Sequence, residues 1–124
     1  MMPIPQDVNL ELAVEIMKIV PIKEQMNWTI DDFLSHENLE DYNRTNVQQC
    51  IAQLCYYDYL KCDGSPFVDT EDLIVKSIGL YGVDLAATLL DGFKSLQIQS
   101  FLIKYPQATI VDFSDYVRSI SPLR

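Results

Sequence analysis

Apolar positions recur at helical spacing almost from the start of the chain. Leu10, Leu12, Ala13, Val14, Ile16, Met17, Ile19 and Val20 cover well over half of a helical wheel, leaving Glu11, Glu15 and Lys18 a narrow polar stripe. The pattern predicts a helix from near Asp7 to just before Pro21. A helix so apolar needs more than one neighbour, either the chain's own C-terminal helices or a second subunit. "NWTIDDFL" reads as a short extended piece and then a helix opening at Thr29, where Thr-x-x-Asp makes a capping box. A second such box, Thr45-x-x-Gln48, opens a helix ending near Tyr57, with Val47, Cys50, Ile51 and Leu54 on its inner face. "YLKC", "DGSP" and "DLIVKSI" then read as strand, turn and returning strand. Gly79 and Gly82 introduce a helix over "VDLAATLLDGF". Another runs from about Ser95 to Tyr105 and is stopped by Pro106. The last starts at Thr109 and buries Ile110, Phe113, Val117 and Ile120.

Three helices followed by a hairpin is the order of a winged helix-turn-helix with the hairpin as its wing. The expected fold is therefore mainly α (α+β): a winged-helix core over residues 1–78 and a helical extension over 79–124 packed on it. At 124 residues, 48% of them hydrophobic, the chain has the length of one compact domain with a real core. Apolar arcs on the first helix, on the Ser95–Tyr105 helix and on the last helix exceed what so small a core hides, which predicts a homodimer built from these helices.

Charge changes the picture. The net charge is −9 and the isoelectric point is near 4.3. A duplex-binding protein draws most of its affinity from Lys and Arg on phosphates, so an acidic chain starts at a disadvantage. Asp31, Asp32, Glu37, Glu40 and Asp41 fall between Thr29 and Tyr42 with no Lys or Arg among them. Such a run is either a solvated face or a surface for a basic partner. The outward face of the Thr45 helix reads as Thr45, Gln48, Gln49, Ala52, Gln53 and Tyr56. Gln can pair bidentately with adenine and Tyr can reach a phosphate. The phosphate clamp is missing, however, since Arg44 is the one basic residue between Lys23 and Lys61. The wing sets two lysines, Lys61 and Lys76, against Asp63, Asp69, Glu71 and Asp72, a net of −2 where a wing normally follows a phosphate backbone.

Candidate chemistry is sparse. No glycine loop with its lysine cradles a phosphate, because Gly79-x-x-Gly82 is too short. No metalloprotease or nucleophile-elbow motif occurs, and His36, in the polar stretch "FLSHENLE", reads as an exposed surface histidine. Asp31 and Asp32 point about 100° apart on a helix, a poor dyad, and are explained by a cap and first-turn acids. The expectation is a protein without catalytic activity, cofactor or metal. Cys50, Cys55 and Cys62 have no second pair for zinc. Their odd number, with no basic-then-apolar leader in "MMPIPQDVNLEL", reads as small reduced core residues in a cytoplasmic protein. No apolar run approaches the roughly 18 residues that cross a bilayer, so no membrane role is expected.

Four segments carry a family likeness: "VNLELAVEIMKIV", "YNRTNVQQCIAQLCYYDYLKC", "LIVKSIGLYGVDLAATLLD" and "ATIVDFSDYVRSI". Together they resemble an uncharacterised family of small winged-helix proteins of bacteria and their phages, over nearly the whole chain and by pattern more than by identical residues. The family's aromatic-Glu-Gly-His at the fourth helix is "LYGV" here. The resemblance implies the winged-helix fold, and its phage association implies a role in host takeover or in countering defence. Two functions remain open. One is binding of a basic, nucleic-acid-binding host protein through the acidic residues, as a DNA mimic or an anti-CRISPR-like inhibitor of a CRISPR effector. The other is DNA binding as a dimeric transcriptional regulator.

Overall fold

The first helix begins where Asn9 turns its side chain back to accept the Leu12 amide at 3.1 Å, giving α1 over Leu10–Ile19. The computed structural model describes residues 8–64 and 72–123, so Asp7, the expected start, lies outside it. Thr29 and Asp32 form the expected capping box and open α2 (Ile30–Leu34), followed by a 3-10 turn, Glu37–Leu39. The next helix, α3, is capped by Asn43 rather than Thr45. The Asn43 carboxamide accepts the Asn46 amide at 2.8 Å, so the helix runs Arg44–Tyr56 and Thr45 sits inside its first turn. Asn ranks above Thr as a cap, which decides the competition.

The end of α3 is a Schellman turn. The Tyr59 amide reaches the Leu54 carbonyl at 2.8 Å and the Asp58 amide the Cys55 carbonyl at 3.3 Å, with Asp58 left-handed at φ 63°. The chain thereby turns into β1 (Leu60–Asp63), which pairs antiparallel with β2 (Ile74–Ile78). Lys61 faces Ser77 and Cys62 faces Val75, so Lys76 is an extra, bulged residue of β2. A third extended piece covers the far side of β2: Trp28 exchanges both backbone hydrogen bonds with Val75, and the Met26 amide reaches the Lys76 carbonyl at 2.7 Å. The later part of the expected "DGSP" turn, together with Asp69 and Glu71, lies outside the described residues.

The C-terminal part differs from expectation at two helix starts. The fourth helix, α4 (Leu80–Leu90), begins at Gly79, and Gly82 lies within it. Asp91 then closes α4 and opens α5 (Gly92–Lys104), its carboxylate accepting the Phe93 and Lys94 amides at 3.1 Å; the helix expected from Ser95 starts three residues earlier. The last helix, α6 (Ile110–Ile120), opens on the capping box Thr109–Asp112.

These helices share one core with the hairpin, in which Leu12, Ile16, Phe33, Ile51, Leu54, Tyr59, Val75, Leu85, Ile98 and Phe113 are fully buried. Two polar links fasten α6 to it. The Tyr59 hydroxyl meets Ser114, and the buried Ser121 hydroxyl donates to the buried Asp84 carboxylate at 2.9 Å. The apolar arc of α1 is buried within its own chain, as is that of α6, so neither needs the second subunit that the sequence led one to expect. The cysteines also depart from expectation. Cys55 and Cys62 form a disulfide joining the last turn of α3 to β1, with Cα atoms 6.2 Å apart, and only Cys50 is a buried free thiol.

Candidate acidic interaction surface

The acidic run after Thr29 does not act as one block. The Asp32 carboxylate accepts the Thr29 amide at 2.9 Å and is committed to the α2 cap. Asp31 pairs with Arg44 across the α2–α3 junction. Glu37, Glu40 and Asp41 remain, exposed, on the 3-10 turn and the loop after it. Here α1 adds what the sequence reading missed. The 3-10 turn packs on α1, where the Asn38 carboxamide donates to Glu15 at 3.2 Å. Tyr42, on the same loop, has its hydroxyl pKa pushed up, first by burial and then by the negative charges of Glu11, Glu15 and Asp41.

A shallow depression of about 260 Å³ between α1 and α5 has Glu11, Glu15 and Tyr42 among its lining residues. Glu11, Glu15 and Asp41 thus lie close to Tyr42, with Lys18, 3.1 Å from Glu15, as the counter-charge in contact, while Glu37, on the 3-10 turn that packs on α1, and Glu40, the residue after it, are exposed. A signal for the α1 contribution was present in the sequence, since Glu11 and Glu15 lie one turn apart on that helix's polar stripe. What placed them was the docking of the 3-10 turn, which no periodicity reveals.

The expected reading face of α3 is narrower than its sequence implied. Thr45 and Gln49 are exposed and Tyr56 is at its edge, whereas Gln48 is half-buried and Gln53 and Ala52 are both only 5% exposed. The correction has a simple cause: α2, α1 and β1 all pack on α3, enclosing residues that a two-sided helix would leave outside. His36 is likewise not the exposed surface residue expected, but half-buried, its ring 5.1 Å from that of Trp28.

The cations of α3 and the two strands are paired. Arg44 pairs with Asp31, Lys61 lies 2.7 Å from Asp58, and Lys76 lies 3.5 Å from Asp63 while donating to Asn27 at 2.6 Å. Asp72 is exposed at the start of the returning arm. Lys104 and Arg118 instead lie over the rings of Tyr105 and Tyr81 in the C-terminal part. Among the described residues no cluster of three His, Cys, Asp or Glu is placed to hold a metal ion, and no helix is long and apolar enough to cross a membrane. Comparison of the chain with protein-family models, with curated proteins and with solved structures finds no match.

Proposed function

We propose that this protein is a winged-helix-type binding module that captures a basic, nucleic-acid-binding protein through its acidic face. The observation that carries the reading is the convergence of Glu11, Glu15 and Asp41 on Tyr42, beside the exposed Glu37 and Glu40 of the adjoining 3-10 turn, while Arg44, Lys61 and Lys76 are each paired with a carboxylate. The winged-helix reading is supported by element order: α1, the Trp28 bridge, α2, α3, then a hairpin whose second strand carries that bridge. The narrower role, an inhibitor of a host nucleic-acid machine such as a CRISPR effector in which carboxylates stand in for phosphates, rests on the phage-family resemblance and the charge together.

Replacing Glu37, Glu40 and Asp41 by Lys tests the proposal. Capture of the partner from host lysate should be lost, and binding by the unaltered protein should weaken as salt rises, because exposed charges are screened over about 8 Å at physiological ionic strength. The melting temperature should hardly change, since all three side chains are exposed.

The second reading, a DNA-binding regulator, is favoured by one observation: Thr45, Gln49 and Tyr56 still face outward from α3. Specific duplex binding in a low-salt mobility shift, lost on Thr45→Ala, Gln49→Ala and Tyr56→Ala and unaffected by the charge reversal, establishes it in place of the first.

A further inference from the structure

Among the described residues, three of the most exposed large apolar side chains share one helix, α5, while Leu80 and Leu90 lie at the two ends of α4. Phe93, Leu96 and Ile103 of α5 are 72%, 60% and 81% exposed, and Leu90, just before the helix, is 78% exposed. Phe93, Leu96, Ser100 and Ile103 follow one another at steps of three, four and three, the spacing of a coiled-coil seam, and all four are exposed while Ile98 on the opposite side is buried. The spacing is also palindromic about position 98. Turned end for end, Phe93 meets Ile103 and Leu96 meets Ser100.

From this we infer that α5 is the face by which two copies of the chain associate, their α5 helices antiparallel across a two-fold axis near Ile98. Such an axis requires a self-complementary patch, and a palindromic seam supplies one. Leu96 of each copy fits over the small Ser100 of the other, as a knob needs a hole. Electrostatics select the same face. The chain carries −9, yet no carboxylate occurs between Gly92 and Lys104, so α5 itself brings no negative charge to the seam, and Glu11 and Glu15 border only its Ile103 end. The antiparallel arrangement also brings Lys104 to the level of the partner's Asp91, the exposed carboxylate that caps its α5. Specific interfaces begin near a total of ~1,000 Å², so the association has to bury the seam and the side chains flanking it on both copies. The Ile103 end of the seam adjoins the acidic face, since Ile103 shares the lining of the α1–α5 depression with Glu11, Glu15 and Tyr42; the inference does not rest on the acidic reading, which the reversal of Glu37, Glu40 and Asp41 tests separately.

Light scattering of the full chain over a concentration series at tens of micromolar should show the mass rising from 14.2 kDa toward twice that value. Leu96→Glu and Ile103→Glu should each raise the dissociation constant by about a hundredfold or more, because a two-fold interface meets every substitution twice, with the melting temperature of dilute protein unchanged. A mass fixed at 14.2 kDa, or a dimer indifferent to both variants, overturns the inference. Register is tested by mixing Leu96→Cys protein with Ser100→Cys protein under mild oxidation; Cys50 is buried and the other two native cysteines are bonded to each other, so the added thiols report alone. The mixed disulfide should form in preference to either self-linked product, and predominance of the self-linked products overturns the antiparallel arrangement.

Discussion

Gly82 shows how a single missing side chain sets the packing of the C-terminal part. A Cβ there would lie 2.1 Å from the Tyr59 carbonyl oxygen, and one on Gly79 would lie 2.2 Å from the Asp58 carbonyl oxygen. The Gly-x-x-Gly spacing is thus a close approach of α4 to the Schellman turn, which also sends its Tyr59 and Asp58 carbonyls to the Gly79 and Tyr81 amides. In the sequence these glycines read as helix punctuation. Their role was hidden because the contact is with backbone distant in the chain. Gly82→Ala should cost more than about 2 kcal/mol in denaturant unfolding, while Gly92→Ala, with nothing within 4 Å and at a helix start, should be neutral or stabilise by about 0.5 kcal/mol. Two other residues predict a pH dependence. Burial pushes the Cys50 thiol from 9.0 up to about 12, and pushes the Tyr59 hydroxyl from 10.0 up to about 12 against the pull of its Ser114 hydrogen bond. Both groups hold their protons more tightly folded than unfolded. Their contribution is therefore complete below pH 9 and is lost progressively as pH rises toward 12, which urea midpoints measured across that range should reveal.

Element by element, the sequence was most legible where the controlling chemistry is local. The box at Thr29, the helix start at Thr109, the stop before Pro106 and the two strands all follow from residues within a few positions of one another. The starts of α3 and α5 were misplaced because Asn43 and Asp91, each a better cap, lie just upstream of the residues chosen. The disulfide was not legible at all. Its two cysteines sit on different elements, and only the left-handed turn at Asp58 brings them together. By loop entropy a bridge across seven positions contributes about 2–3 kcal/mol. Cys62→Ser, or a reductant such as dithiothreitol, should lower the melting temperature by several degrees without changing the far-ultraviolet dichroism of the helices. A melting temperature indifferent to both treatments contradicts a stabilising link.

At the scale of the whole molecule, acid and cation are unevenly shared between faces. The run from Asp31 to Asp41 could be read directly, but its partition could not. Two of the five carboxylates are spent on a cap and an ion pair, and two others arrive from α1. The amphipathic pattern located the core helices well and overstated their need for a partner. α1 and α6 bury most of their apolar arcs within the chain, whereas α5 leaves Phe93, Leu96 and Ile103 exposed along one seam. If the acidic face acts by steering, the association rate should fall more steeply with ionic strength than the dissociation rate rises, which stopped-flow mixing with the captured partner can resolve.

The Met26–Trp28 segment has a consequence for the protein's behaviour in crowded solution. A two-stranded hairpin ordinarily offers two rows of unpaired backbone groups to any passing extended chain, the starting condition for fibrous aggregation. Here Trp28 and Met26 occupy the far row of β2, and the bulge at Lys76 bends that strand out of flatness. On the other side β1 offers four residues, with Lys61 and Asp63 exposed on either side of a cysteine already bonded to α3. Short, charged and twisted, that remaining row is a poor template, so the small sheet is guarded against runaway strand addition by the same segment that fastens it to the helices.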